Sequence, residues 1–336
     1  MKRNIFIFTL LALLFFSYRS DSLTLVYSDH EPLGNMRTVF LNDVFFKAVK
    51  EFSGGQIEIT PYWNSEISTG YDALKILSEG REAQIAVIVP EYASKELPLH
   101  QIFKSFPTGP YGQKQVEFFR NVYHEIPELV NELEANNLHA VFIATGYPAA
   151  FFSVKKLDDL HGLKGQKWRS ASFWHKDFLA NAGAVPVTMA WGQGVFEALN
   201  NGTLDGLIVN IDSGYDIKAH TAAPYILTSQ KLWLGHEYII AMNKKVWDSL
   251  NDSEQNAFVR AAESSYRILG RTMNEAFARQ LDILRSDGAV IRIMSDDEIS
   301  FWEKITDYRA VQDKYINNTE VMNSVRTYMK NFKEAD

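Results

Sequence analysis

The chain has 336 residues, 46% of them apolar and 22% charged, with a net charge of −7 and no cysteine. That length exceeds what one hydrophobic core usually organises, so two lobes are expected. The acidic balance argues against a nucleic-acid partner, which needs a basic surface, and the missing thiols exclude cysteine nucleophiles, cysteine zinc sites, disulfides and a lipid-modified N-terminal cysteine.

Lys2 and Arg3 precede an almost unbroken apolar run from Ile5 to Phe16, and Ser17 to Ser22 are mostly small or polar. This charged, apolar, then polar order predicts a secretory signal peptide over residues 1–22, and the run is short for a membrane span. The competing reading is an uncleaved anchor. No second apolar run of spanning length follows, so the mature chain is expected to be soluble.

Leu23 to Tyr27 reads as a first strand. Met36 to Phe52 has helical spacing, with Val39, Phe40, Val44, Ala48 and Phe52 on one side and Gly54-Gly55 as its stop. Gln56 to Tyr62 is a second strand, Tyr71 to Glu79 a short helix, and Ile85 to Val89 a strand ended by Pro90. The same alternation returns further on. Ala140 to Ala144, Gln166 to Arg169 and Leu204 to Val209 read as strands, with helices at Phe173 to Asn181 and Val195 to Asn201. Such alternation predicts α/β architecture with mostly parallel sheets.

The last third differs. Ser253 to Asp287 contains no proline and one glycine, Gly270, with Ser253 to cap its start and Gly288 to end it. Phe258, Ala261, Ala262, Ser265, Leu269, Thr272, Ala276 and Leu284 fall near one stripe. At about 1.5 Å per residue such a helix runs roughly 50 Å, longer than one lobe, and is expected to brace both. Lobe I is expected to comprise 23–147 with roughly 233–265 returning to it. Lobe II takes 148–232 with roughly 266–310 packed on it, and 311–336 forms a C-terminal segment.

Several segments then match a known family in order and spacing. Phe52-Ser53-Gly54-Gly55-Gln56-Ile57, Pro61-Tyr62-Trp63, Leu163-Lys164-Gly165-Gln166-Lys167-Trp168-Arg169, Gly183-Ala184-Val185-Pro186-Val187 and the run from Ala198 to Gly206 resemble the periplasmic solute-binding subunits of TRAP transporters (DctP-type). The resemblance covers nearly all of Leu23 to Ala310. It implies a two-lobed periplasmic binding protein fold, and a periplasmic receptor that closes over a small organic acid and delivers it to a membrane permease. It also implies that Arg169 grips the ligand carboxylate. Departures from the family pattern matter. Tyr147 stands where many members place a second arginine, which favours a monocarboxylate over a dicarboxylate. Gln193 replaces a glutamate, Gly194 looks inserted and Phe196 replaces a tyrosine. Either Val209 or Asn210 matches a ligand-touching position, and only Asn210 could donate a hydrogen bond.

Read from its residues alone, Arg169 ends a predicted strand, where loops of an α/β sheet gather ligand contacts. Its planar fork fits a carboxylate; the competing reading is a surface arginine paired with an acid. Trp168, Phe173, Trp174, Trp191 and Trp233 could wall a bulky or aromatic acid, or belong to the core. Trp174, just past Arg169, is singled out. Tyr147 and Asn210 could hydrogen-bond a keto or hydroxyl oxygen, and Tyr27, Trp63 and Tyr92 are the candidates on lobe I. The eight histidines show no metal-ligand spacing, and no nucleotide loop or nucleophile elbow occurs. No cofactor is expected, and an enzyme is disfavoured. The alternatives left open are a receptor for an ABC importer or sensor kinase, and a dicarboxylate, sugar acid or sulfonate as ligand.

Overall fold

The computed structural model describes residues 22–334 except Ala171, Ala190, Trp191 and His236. The predicted signal peptide, apart from Ser22, and the site candidate Trp191 lie outside the described residues. Among the described residues no helix is long and apolar enough to cross a membrane.

The strands in chain order are β1 (Leu23–Ser28), β2 (Ile57–Tyr62), β3 (Ile85–Ile88), β4 (Leu138–Thr145), β5 (Ala149–Ser153), β6 (Lys167–Arg169), β7 (Val185–Val187), β8 (Gly206–Asn210), β9 (Tyr225–Thr228), β10 (Glu237–Asn243) and β11 (Val290–Ile293). They form two sheets, ordered β2-β1-β3-β10-β4 and β11-β9-β5-β8-β6-β7. Each sheet is sandwiched between helices around its own cores, which gives the two-lobed α/β architecture. The sheets are mixed, where the alternation predicted mostly parallel ones. β5 and β10 each run antiparallel to both neighbours. Both strands receive the chain straight after it crosses between lobes. They therefore start at the edge where their neighbours end, with no helix to bring the chain back round.

The first predicted helix is broken into Met36–Phe40, a π-helical turn Leu41–Phe45, and Phe46–Phe52. The wider turn rotates the apolar face by about one residue. Phe45, Phe46 and Val49 therefore reach the core, and Val39, predicted inside, is exposed.

The long helix spans Asp252–Ser286, about 52 Å at 1.5 Å per residue. Its cap is Asn251, not Ser253. The Asn251 side chain accepts from the Ser253 and Glu254 amides, and the Glu254 carboxylate accepts from the Asn251 amide. Phe258, Ala261, Tyr266, Leu269, Met273 and Ala276 pack into the first lobe, whereas Phe277, Leu281 and Leu284 pack into the second. The helix thus changes lobes between Ala276 and Phe277, later than the sequence pattern placed the change, at position 266. Gly270 lets another helix touch it: a Cβ there would lie 2.3 Å from the backbone nitrogen of Gln113, at the start of helix Gly112–Glu125. At the C-terminus, helix Asp296–Thr306 sits on the second lobe and helix Thr319–Glu334 returns to the first.

Candidate functional site

The parallel strands β1, β3, β6 and β8 all end at the junction of the lobes. The segments after them carry His30 and Glu31, Glu91 and Tyr92, Ser170 and Ser172, and, in the helix Ile211–Asp216, Ser213. With Arg169 and Asn210 at the strand ends, these side chains line one chamber of about 510 Å³. Ligand sites of α/β proteins form at this edge because successive strands open their loops toward a common crevice.

Arg169 closes β6 and is 1% exposed. Its Nε and Nη2 donate to the Met189 carbonyl at 3.3 and 3.1 Å, fixing the guanidinium plane in the chamber wall. Burial lowers its pKa, while the neighbouring Glu91 and Tyr92 raise it; an arginine stays charged throughout. Trp174, in the first turn of helix Phe173–Asn181, also lines the chamber. Its ring rests on Phe173 and Tyr315, and its Nε1 is buried with no hydrogen-bond partner.

Asn210 also lines the chamber. Its Nδ2 donates to the Tyr147 carbonyl at 2.8 Å, and that carbonyl can only accept, so the amide orientation is determined. Oδ1 remains buried without a partner, so Asn210 presents an unpaired acceptor at the chamber.

The other candidates separate. Tyr92 lines the chamber, its ring 4.5 Å from Tyr71 and 5.9 Å from His30. Tyr147 does not; it lines narrow hinge crevices beside Met36, Gly112 and Phe277. Tyr27 is fully buried, its hydroxyl donating to Asp29 at 2.5 Å and its ring packed on Phe46 and Trp63. Trp63 packs on the same core. Neither reaches the chamber, because the inward face of β1 is apolar core. Trp168 and Trp233 are core residues as well, with their indole nitrogens bonded to Gln166 and to the Pro110 carbonyl. Only Phe173 and Trp174 of the predicted aromatic wall are at the chamber among the described residues.

Three charged groups, Arg37, Glu91 and Lys104, carry little signal in the sequence. Arg37, 4% exposed, holds Asp29 through two hydrogen bonds of 2.5 and 3.0 Å and Glu31 through one of 2.7 Å. Its guanidinium lies 4.4 Å from the Tyr238 ring. This network fixes the loop that carries His30 and Glu31. Lys104 donates to Glu91 at 2.5 Å, and both line the chamber. Glu91 had one sequence signal, its place directly after a predicted strand and Pro90. Arg37 and Lys104 had none, as their partners are brought together by the fold.

The chamber wall therefore holds two acids, Glu31 and Glu91, and two bases, Lys104 and Arg169, besides His30. Burial lowers the pKa of His30. The hydroxyls of Ser170 and Ser172 are buried without any partner, so no base activates either as a nucleophile. Among the described residues no cluster of acids and histidines could hold a metal ion.

Residues 34–316 match the bacterial extracellular solute-binding protein family 7, the DctP family. The chain belongs to this family. Its members are periplasmic receptors for transport, a class of binding proteins and not of enzymes. A solute-binding protein of Verminephrobacter eiseniae is 24% identical over 267 residues, 74% of this chain and 73% of that protein. Among solved structures, a Bordetella pertussis extracytoplasmic solute receptor binding pyroglutamic acid aligns with a TM-score of 0.75 and 18% identity. The alignment covers 93% of this chain and all of that one. A TRAP periplasmic solute-binding protein from Sulfitobacter, with bound β-D-galacturonate, aligns with a TM-score of 0.71 and 18% identity over 92% of this chain and 100% of that one. The DctP-type receptor is thus built here on two lobes and one shared helix.

Proposed function

We propose that this chain captures a small monocarboxylic acid between its lobes, anchored by Arg169, and hands it to the membrane permease of a TRAP transporter in the periplasm. Export by residues 1–22 belongs to the same reading. The observation that carries it is the concentration of buried polar atoms without partners around one chamber: Ser170 Oγ, Ser172 Oγ, Trp174 Nε1 and Asn210 Oδ1. Folded proteins leave few such atoms unpaired, and a ligand that satisfies them supplies the missing partners. Arg169 beside them offers a guanidinium for the carboxylate.

One carboxylate is favoured over two because the chamber wall carries equal numbers of acids and bases. Tyr147, in place of the family's second arginine, lies at the hinge. Pyroglutamic acid and galacturonate, held by the two related structures, each carry a single carboxylate. A ligand touching Arg169 and Asn210 on one lobe and Tyr92 on the other favours the closed arrangement by its contacts with both.

A thermal-shift screen of the purified chain against small acids, with Arg169→Ala and Arg169→Lys in parallel, tests this. An acid at a hundred times its dissociation constant stabilises the fold by about 2.7 kcal/mol. Arg169→Ala abolishes the shift, and Arg169→Lys, which keeps the charge and loses the fork, weakens affinity at least about tenfold. A shift that persists in Arg169→Ala removes Arg169 as the anchor, and a wild type that no acid shifts refutes the reading.

A further inference from the structure

We propose that Glu91, held by Lys104, and the Oδ1 of Asn210 together select acids that carry a hydrogen-bond donor, a hydroxyl, an amide N–H or an ammonium, besides their one carboxylate. This deepens the preceding reading and rests on it.

Glu91 sits in the loop after β3 on the first lobe, and its carboxylate is bound to Lys104 Nζ at 2.5 Å. The pair is sequestered at the chamber wall, the Lys104 side chain 6% exposed and that of Glu91 25% exposed. Burial would raise the Glu91 pKa, but the charge and hydrogen bond of Lys104, with Arg169 contributing, hold it below the usual carboxylate range. Glu91 is therefore ionised at neutral pH and can only accept. Asn210, at the end of β8 on the second lobe, lines the same chamber with one amide N–H bonded to the Tyr147 carbonyl and its oxygen unpaired. The two lobes thus each present an acceptor to the same ligand.

An acid with one carboxylate and no donor leaves Asn210 Oδ1 unpaired, and Glu91 with Lys104 as its one partner, once the lobes close. Sites built to meet a hydroxyl or N–H reject analogues that lack it by about a hundredfold or more. A second carboxylate fares no better, since Glu91 repels it and Lys104 is already paired. Glu31, its Oε2 bound to Arg37 and Asn35, adds a further acid to the wall against a second carboxylate.

The test is isothermal titration of the intact purified protein with matched acids. Gluconate, hexanoate and adipate each have six carbons and differ in hydroxyls and carboxylates; proline and cyclopentanecarboxylate share a ring size and differ in the donor. The best donor-bearing acid is expected to bind at least about a hundredfold more tightly than any acid without one, and than adipate. Glu91→Gln is expected to narrow that gap at least about tenfold. Because it strands Lys104 in the wall, Glu91→Gln/Lys104→Met is titrated beside it, and each variant's melting temperature is checked against the wild type. Hexanoate, cyclopentanecarboxylate or adipate binding within tenfold of the best donor-bearing acid overturns the inference and leaves the organic-acid reading standing. Unchanged selectivity in a folded double variant removes Glu91 as the selector. Binding of no acid at all overturns the organic-acid reading and this inference with it.

Discussion

Glu237 opens β10 at the point where the chain re-enters the first lobe, and it is 2% exposed. Neither carboxyl oxygen has a hydrogen-bond partner that satisfies normal geometry. Burial pushes its pKa up to about 8 from an ordinary 4.5, with the Tyr123 hydroxyl pulling weakly the other way. At neutral pH the folded chain keeps this proton and the unfolded chain gives it up. Because the folded-state pKa is the raised one, the stabilising contribution is complete below pH 4.5. It is lost as pH climbs to about 8, at about 1.4 kcal/mol per pH unit. By pH 7 the accumulated loss is about 3 kcal/mol. Glu237→Gln, which has no proton to lose, escapes it. Urea unfolding of wild type and variant at pH 5, 6, 7 and 8 reads the effect. The difference in unfolding free energy is expected to move steadily in favour of the glutamine as pH rises. The slope is decisive, because a constant offset can arise from the amide itself. Parallel stability curves would refute the account of a buried, protonated Glu237.

Gly270→Ala is expected to lower stability by about 1–3 kcal/mol, although alanine is the better helix former by about 1 kcal/mol; urea unfolding that shows a gain would mean the two helices separate freely. Arg37→Met leaves the Asp29 carboxylate buried without its counter-charge, and a loss of about 3–5 kcal/mol is expected. A melting temperature within a degree of wild type would show that the network contributes little. Asn251→Ala removes the cap of the long helix and should cost about 1 kcal/mol, a loss that Asn251→Ser largely avoids. Equal loss in both variants would indicate that packing, not capping, is disturbed.

Much of this architecture is legible along the chain. Helix Phe173–Asn181 has the bounds that its apolar spacing and Gly183 predict, and β6 ends on Arg169 as the strand pattern requires. Local patterns fail where the answer depends on distant segments. The π-helical turn at Leu41–Phe45 shifts which side of the helix is buried, and no residue type in that stretch announces it. Tyr27 has the composition of a ligand-facing residue, yet its hydroxyl is committed to Asp29 within a network that Arg37 completes. Asn210 is a polar residue at a strand end, as expected; which of its amide atoms is left without a partner depends on a carbonyl 63 positions earlier. Glu91 and Lys104 are 13 residues apart with a short helical turn at each, a spacing that encodes no contact.

The place of β10 in the first sheet bears on the order in which the lobes can be completed. It lies between β3 and β4, although more than ninety residues separate Thr145 from Glu237 in the chain. Until Asn243 is available, the N-terminal sheet is two fragments with an unfilled slot and four edges. The second sheet has no such debt: β5 to β9 come from one continuous stretch, and the late arrival, β11, only adds to its rim. The sheet begun first therefore cannot close until the strands of the second lobe from β5 to β9 have been made. On the proposed export from the N-terminus, the leading half emerges as an incomplete sheet, held open until the trailing half supplies β10.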